Sequence, residues 1–166
     1  TLTMNVVSKA YAMTGWRIGY AGAPDSLIKV MDMVQGQQTS GACSIAQWAA
    51  VEALNGPQDF IQVSRKAFEE RRDLVVSMLN QAKHLSCPMP EGAFYAYPRV
   101  TELLGREIAG TVCNTSAELA AVILDKAEVA VVPGEAFGTP GYLRLSYALG
   151  DDDIRTGLSR MQELLA

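Results

Sequence analysis

The chain has 166 residues, of which 49% are hydrophobic and 19% are charged. This composition provides enough apolar material for a folded core and excludes an acidic disordered tail, a collagen-like repeat and a coiled coil. The formal net charge is −4, so we expect no nucleic-acid partner. No apolar stretch approaches the length that crosses a bilayer, so we expect no membrane partner either. Three separated cysteines without a CxxC pair predict reduced thiols in a cytoplasmic protein.

The first half of the chain predicts one strand followed by three helices. The apolar segment Arg17–Ala23 is typical of a strand buried on both faces. A first helix is expected to begin at Pro24 and to stop near Gly36, and a second one covers Ser44–Leu54. The longest helix begins at Pro57, and apolar residues recur at helical spacing through Leu85.

The second half predicts a small sheet with two further helices. In three segments the spacing of apolar residues changes to every second residue, which is typical of strands. We expect these segments to be strands of one sheet: Phe94–Val100, Val129–Val132 and Tyr142–Tyr147. Thr115 and Glu118 form a capping-box pattern at the start of a helix that ends at Ala127. The alternation of helices and strands predicts an α/β (α+β) fold in which the long helix packs along the sheet.

We predict no metal site. The single histidine, His84, lies near the end of a predicted helix and cannot by itself build a histidine-rich zinc site. The acidic run Asp151–Asp153 precedes an amphipathic helix, where carboxylates cap the helix and offset its dipole. A metal site is the weaker interpretation of these three aspartates.

Two basic residues near the start of the chain could act together on a phosphorylated aldehyde. Lys9 follows the hydroxyl residue Ser8, and Arg17 lies eight residues further on. A lysine amine is nucleophilic when neutral, which suits Schiff-base chemistry, and the planar guanidinium of arginine binds phosphate. From these residues alone, two exposed basic side chains in an ordinary loop remain the alternative interpretation.

The whole segment Ser8–Tyr20, SKAYAMTGWRIGY, resembles the active-site segment of the fold-type I, pyridoxal-phosphate-dependent aminotransferases, specifically the aspartate aminotransferase family (class I/II). Three further segments are similar to that family in the same order: PEGAFYAYP at Pro90–Pro98, VVPGEAFG at Val131–Gly138 and YLRLSYA at Tyr142–Ala148. The resemblance covers essentially the whole chain but only the C-terminal portion of the family's usual length. It implies that residues 1–56 belong to the large cofactor-binding domain and residues 57–166 to the small C-terminal domain.

The resemblance implies a role for each of five residues. Lys9 would form a Schiff base with pyridoxal 5′-phosphate, Arg17 would bind the cofactor phosphate, and Ser8 would make local polar contacts. Arg144 would bind the substrate α-carboxylate, and Phe94 would wall the substrate side of the pocket. From the strand pattern alone, Arg144 would instead pair with a carboxylate on the surface, and Phe94 would be an ordinary core residue.

The function implied is transfer of an amino group from an L-amino acid to a 2-oxo acid through the Schiff base on Lys9. The resemblance also implies a homodimer, because the family builds each site across a dimer interface. We expect this chain alone to be an incomplete, inactive fragment in which Thr1–Ala23 packs poorly. A non-catalytic α/β module and another fold-type I enzyme, a carbon–sulfur lyase or synthase, are the alternatives.

One position departs from the family pattern. Three residues before Lys9, where the family usually has Gly or Ser, this chain has Val6. A β-branched side chain there predicts crowding at the phosphate or a conflict with a backbone that needs positive φ.

Overall fold

The computed structural model describes the whole chain, Thr1–Ala166, and the chain divides into two compact units, Thr1–Ser64 and Arg65–Ala166. The first unit contains two strands, two helices and the start of a third: β1 (Thr3–Val6), β2 (Gly19–Gly22), α1 (Asp25–Thr39), α2 (Ser44–Asn55) and α3 (Asp59–Gln81). The second unit contains the rest of α3 and seven further elements: β3 (Tyr95–Ala96), β4 (Arg106–Ile108), β5 (Thr111–Cys113), α4 (Ser116–Ala127), β6 (Val132–Pro133), β7 (Leu143–Ser146) and α5 (Asp151–Leu164). The unit boundary lies inside α3, and the division into domains at residues 56 and 57 stays a prediction.

In the first unit, β1 and β2 form a two-stranded antiparallel sheet in which Val6 pairs with Gly19. The predicted strand is confirmed over Gly19–Gly22, whereas β1 was not predicted. Three of the four residues of β2 are exposed, which agrees with the expectation that Thr1–Ala23 packs poorly in this chain. The core of the unit lies beside the sheet and is small. It consists of Val7, Met13, Ile18, Ala46 and Ala50.

The helices of the first unit follow the predicted periodicity, with two corrections at their ends. Helix α1 continues past Gly36 to Thr39, since an interior glycine costs only about 1 kcal/mol relative to alanine. It ends where Ser40 takes φ 62° and donates its N–H to the Gly36 carbonyl. Helix α3 ends at Gln81 rather than at Leu85, and His84 just beyond it has φ 64°, a left-handed conformation that no helix contains.

The second unit is built on a three-stranded antiparallel sheet with the order β3-β7-β6. All three predicted strands are present in it, but each is shorter than expected: Tyr142–Tyr147 contributes Leu143–Ser146, and the other two are shortened more. Phe94–Val100 contributes only Tyr95–Ala96, because Pro98 lacks the N–H that would continue the ladder. Val129–Val132 contributes only Val132, since Glu128 ends α4 in a left-handed conformation and the chain needs several residues to reach the sheet.

A hairpin of β4 and β5 was not predicted. Its strands have three residues each and pair antiparallel. They are joined by Ala109 and Gly110, which have φ 48° and 83°. Positive φ at both positions of a two-residue turn is the geometry that suits the twist of a hairpin, and the Gly110 position is the one local signal for it.

Helices α3, α4 and α5 share one hydrophobic core with the three-stranded sheet. Val75 and Leu79 of α3 belong to that core together with Leu143 and Leu145 of β7, which confirms the packing of the long helix on the sheet and the α/β fold class. The carboxylates of Asp151–Asp153 occupy the first turn of α5. None of the helices combines the length and apolar character needed to cross a membrane.

Candidate active site

The candidate residues of the first unit lie in and beside the loop from Lys9 to Arg17, which connects β1 to β2. Lys9 lies three residues after Val6, and Arg17 lies two residues before Gly19. Because Val6 and Gly19 are direct partners in the sheet, the two strands hold both ends of this loop close together. Lys9 is exposed in a turn closed by a hydrogen bond from the Ala12 N–H to its carbonyl at 3.2 Å.

A glycine is required opposite Val6. A Cβ atom at Gly19 would lie 2.9 Å from Val6 Cγ1 and 3.2 Å from the Asn5 carbonyl oxygen. Val6 itself is a strand residue and is not among the residues with positive φ. The predicted conflict with a positive φ is therefore wrong: β1 is extended here, and the missing side chain of Gly19 accommodates the branched one of Val6.

Arg17 sits at a strained backbone position at the end of a short 3-10 helix, Thr14–Trp16. Its φ is 53°, in the left-handed region, and its Nη1 donates to the Thr14 carbonyl at 2.9 Å. Residues held in that region are found preferentially where function requires them. No carboxylate of the first unit forms an ion pair with Arg17, since the one ion pair there joins Lys29 to Asp25. The guanidinium is therefore available to an anion.

Arg17 lines an open depression of about 740 Å³, together with Trp16 and the start of α2. Cys43, directly before α2, lines the same depression and is exposed. Backbone hydrogen bonds from Ala46 and Ile45 lower the pKa of the Cys43 thiol, as expected for a thiol at a helix N-terminus. Sequence reasoning did not place Cys43 near Arg17, because only the packing of α2 beside the 3-10 helix joins them.

The candidate residue of the second unit is Arg144 on β7. Its guanidinium carbon lies 4.5 Å from the ring centre of Tyr95 and 4.4 Å from that of Phe137. Such contacts of a cation with aromatic faces hold the planar guanidinium in one orientation. The neighbours of Arg144 along the strand, Leu143 and Leu145, are buried on the opposite face. The structure thus confirms that Arg144 lies on the same, less buried face as Tyr142 and Ser146.

Further aromatic contacts surround the two rings that hold Arg144. Tyr97 stacks on Tyr142 with ring centres 5.3 Å apart and meets the Phe137 ring edge-on at 6.4 Å. The Tyr97 hydroxyl is also hydrogen-bonded to the Thr139 hydroxyl. The Phe137 ring is therefore packed on one side against Tyr97 and on another against Arg144.

Arg144 has no carboxylate partner in its unit. The acidic residues there that form ion pairs pair with other bases, such as Asp151 with Arg71 and Glu128 with Arg160. The alternative expectation, a surface arginine paired with a nearby carboxylate, is wrong. An arginine that is oriented but unpaired can offer two parallel N–H groups to an incoming carboxylate.

Phe94 packs differently from the ring that contacts Arg144. It is half-buried against the core, with its ring centre 6.0 Å from that of Phe68 on α3. Its ring centre also lies 4.6 Å from that of Tyr95, which in turn contacts Arg144. Sequence reasoning missed Tyr95 and Phe137, although alternation in the segment AFYAYP is a signal for Tyr95. The role of Phe94 as a pocket wall stays a prediction, as does that of the half-buried Ser8.

Comparison with known proteins identifies the family of the chain. Residues 1–161 match the family model described as aminotransferase class I and II. A protein of Rhizobium leguminosarum bv. phaseoli named "Probable aspartate/prephenate aminotransferase" is 60% identical over 163 residues, which are 98% of this chain and 41% of that protein. The aspartate/prephenate aminotransferase of Cereibacter sphaeroides is 53% identical over 167 residues, covering 100% of this chain and 42% of its own length.

Solved structures give the same result. The aspartate aminotransferase from Rhizobium meliloti superposes with a TM-score of 0.95 at 49% sequence identity, and the match covers 99% of this chain and 42% of that one. The aspartate aminotransferase of Thermus thermophilus with maleate superposes with a TM-score of 0.89 at 39% identity, over 99% of this chain and 41% of that one. The chain therefore spans about two fifths of the length of the relatives it matches.

Proposed function

Since the chain belongs to the aminotransferase class I and II family, we propose that it carries the active-site lysine of a pyridoxal-phosphate-dependent aminotransferase. The reaction is the transfer of an amino group from an L-amino acid to a 2-oxo acid. The observation that carries this proposal is the loop closed by the Val6–Gly19 pair, which holds an amine and an unpaired guanidinium on one short segment.

The loop suits the two reactive ends of pyridoxal 5′-phosphate. Lys9 supplies a primary amine for the aldehyde, and Arg17 supplies a planar cation, unpaired with any carboxylate of its unit, for the phosphate. When bound, the cofactor supplies an electron sink that stabilises negative charge at the substrate Cα. Ser8 and Lys9 follow the buried anchor Val7, so the backbone that carries the amine is anchored in the core of the first unit.

The chain's own residues hold the substrate and move a proton. The Lys9 amine would take the proton from the substrate Cα as a base and would later donate a proton as an acid. Arg144 binds the α-carboxylate through two parallel N–H groups. Because Tyr95 and Phe137 fix its guanidinium, the carboxylate is bound in one orientation, and the amino acid is held for proton transfer.

The names of the relatives indicate the substrates. Two of them are named as aspartate/prephenate aminotransferases and two others as aspartate aminotransferases. We propose aspartate as the amino donor and prephenate as a 2-oxo acid acceptor. Both carry a carboxylate beside the reacting carbon, which is the group that we propose Arg144 binds.

Amino transfer by the full-length protein tests the proposal. With L-aspartate and 2-oxoglutarate as substrates, Lys9→Ala should abolish turnover, because no other group replaces the amine. Lys29→Ala removes an exposed lysine of the same unit and should leave the rate unchanged. Turnover by Lys9→Ala at the rate of the parent protein would overturn the proposal.

We also propose that the full-length protein is a homodimer. Large apolar side chains of the first unit are exposed in the single chain, including Met4, Ile45 and Trp48, at 71%, 70% and 74%. Apolar surface of this kind is usually covered in the assembled protein. Sedimentation of the full-length protein should give twice the mass of one chain, and a stable monomer at micromolar concentration would contradict the proposal.

A further inference from the structure

The segment between β6 and β7, Gly134–Gly141, is tied to the start of α4 by two hydrogen bonds. Glu135 Oε1 accepts the backbone N–H of Ser116 at 3.0 Å, and Ser116 Oγ accepts the backbone N–H of Gly141 at 2.8 Å. We call these two contacts the Ser116–Glu135 bridge. They secure the segment near both of its ends.

Both members of the bridge are strongly held. Ser116 is 0% exposed, and a buried hydroxyl that accepts a backbone N–H is costly to remove because the donor is left unsatisfied. The Glu135 carboxylate lies at the N-terminus of α4, where the helix dipole favours negative charge and the hydrogen bond is charge-assisted. Glu135 is itself exposed, so its side chain is held by this hydrogen bond and not by packing in a core.

The bridged segment has little freedom to rearrange. A Cβ atom at Gly134 would overlap the Thr139 carbonyl oxygen and lie 2.9 Å from that of Tyr142. The Gly134 N–H donates to the Tyr142 carbonyl at 2.8 Å, and the Thr139 N–H donates to the Gly134 carbonyl at 2.9 Å. These contacts fix the internal shape of the segment, so the place of its side chains depends on where the segment is attached.

This segment carries Phe137, whose ring centre is 4.4 Å from the Arg144 guanidinium carbon. A change at the Ser116–Glu135 bridge can therefore reach Arg144 through Phe137. We propose that Ser116 and Glu135 are positioning residues for binding of the substrate carboxylate: they hold Phe137 against Arg144. The proposal rests on the function proposed for Arg144 and adds two residues that do not touch it.

The test is the kinetics of the full-length enzyme with L-aspartate. Glu135→Ala should raise KM about tenfold with kcat changed less than about twofold, since it weakens ground-state and transition-state binding equally. Glu135→Gln keeps an acceptor oxygen for the Ser116 N–H and should restore most of the affinity. Amide hydrogen exchange at Ser116 should be faster in Glu135→Ala than in the parent enzyme.

Thr115→Ala is the matched control. Thr115 caps the same end of α4, accepting the Glu118 N–H at 3.1 Å, but makes no hydrogen bond to the Gly134–Gly141 segment. It should lower stability and leave KM unchanged. An unchanged KM in Glu135→Ala, or an equal rise in Thr115→Ala, would overturn the proposal.

Arg144→Lys distinguishes failure of the bridge from failure of the proposed function. If KM is unchanged in both Glu135→Ala and Arg144→Lys, the function proposed for Arg144 fails as well. If KM is unchanged in Glu135→Ala but rises in Arg144→Lys, only the proposal for the Ser116–Glu135 bridge is wrong.

Discussion

Arg144 illustrates how a strand presents a charged group without a partner of opposite charge. Its backbone is fixed between β3 and β6 in the middle of the sheet, and its guanidinium is fixed by the rings of Tyr95 and Phe137. The energy that an ion pair would supply comes here from contacts with aromatic faces. The proposed binding of a substrate carboxylate would then break no internal ion pair.

Arg144→Lys keeps the positive charge and removes the planar pair of N–H groups. In the full-length enzyme we expect kcat/KM for L-aspartate to fall about 100-fold, or about 2.7 kcal/mol of transition-state binding. Cofactor absorbance should be unchanged, because Lys9 and Arg17 are untouched. Arg155→Lys, at an exposed position of α5, is the control and should behave as the parent. Parent-like turnover by Arg144→Lys would show that this arginine is not the carboxylate anchor.

Gly19 and Val6 are strand partners, and the absence of a side chain at Gly19 leaves room for the branched side chain of Val6. Gly19→Ala should destabilise the protein by about 1–3 kcal/mol, the usual effect of overpacking, because its Cβ would lie 2.9 Å from Val6 Cγ1. Gly22→Ala, in the same strand with nothing within 4 Å of its Cβ position, should change stability far less. Urea unfolding measures both. Adding Val6→Ala to Gly19→Ala should recover part of the loss, and equal effects at both glycines would refute the argument.

The burial of the Tyr147 phenol predicts a loss of stability in alkaline solution. Burial raises the pKa of its phenol, and its hydroxyl donates to the Ala93 carbonyl at 3.1 Å. Since the folded state favours the neutral phenol, the unfolded state loses the proton first, and the free energy of unfolding falls as pH rises above about 10. Tyr147→Phe should lose less stability over pH 9–11 than the parent. Parallel pH profiles for the two proteins would contradict this; other groups that titrate there, such as the Cys87 thiol, are common to both.

At the scale of elements, helices were easier to predict than strands. The apolar period of α2 and α3 extends over several turns, so errors are confined to their ends, as at Gln81. The strands β3 and β6 have only two residues each, which is too short for alternation to show where they end. Their extent is set by pairing with β7 and by breaks at Pro98 and Glu128, and pairing is a non-local property.

The residues of the candidate site could likewise be predicted only in part. Lys9, Arg17 and Arg144 could be proposed from sequence because each lies in a long segment that resembles a family. Phe137 could not be linked to Arg144, since six residues and a turn lie between them and only the fold brings the ring over the guanidinium. The contact of Glu135 with Ser116 was equally inaccessible from sequence, because it joins two elements through a side chain and a backbone N–H.

The capping box of α4 gives a prediction for a whole element. Thr115 accepts the Glu118 N–H at 3.1 Å, and the Glu118 carboxylate accepts the Asn114 N–H at 2.6 Å. Thr115→Ala should lower the free energy of unfolding by about 1 kcal/mol, the typical effect of losing an N-cap. Thr115→Ser keeps the hydroxyl and should lower the free energy of unfolding by only a few tenths of about 1 kcal/mol. Urea denaturation compares them, and equal midpoints for Ala and Ser would show that the cap contributes nothing.

At the scale of the whole molecule, the chain holds parts of one proposed function in two compact units. The first unit carries Lys9 and Arg17, and the second carries Arg144 with its rings. Each part is organised by its own core, the first around Val7 and Ile18 and the second around the three-stranded sheet. Variants in the second unit should therefore change substrate binding while cofactor binding by the first unit persists.

The most direct test of the account is to identify the lysine that binds the cofactor. The full-length protein is mixed with pyridoxal phosphate, reduced with borohydride to make the link permanent, digested and analysed by mass spectrometry. The chain has five lysines, Lys9, Lys29, Lys66, Lys83 and Lys126, so each site is distinguishable. We predict the cofactor mass on the peptide containing Lys9, at close to one per chain. Label on one of the other lysines, or none on Lys9, would contradict the account.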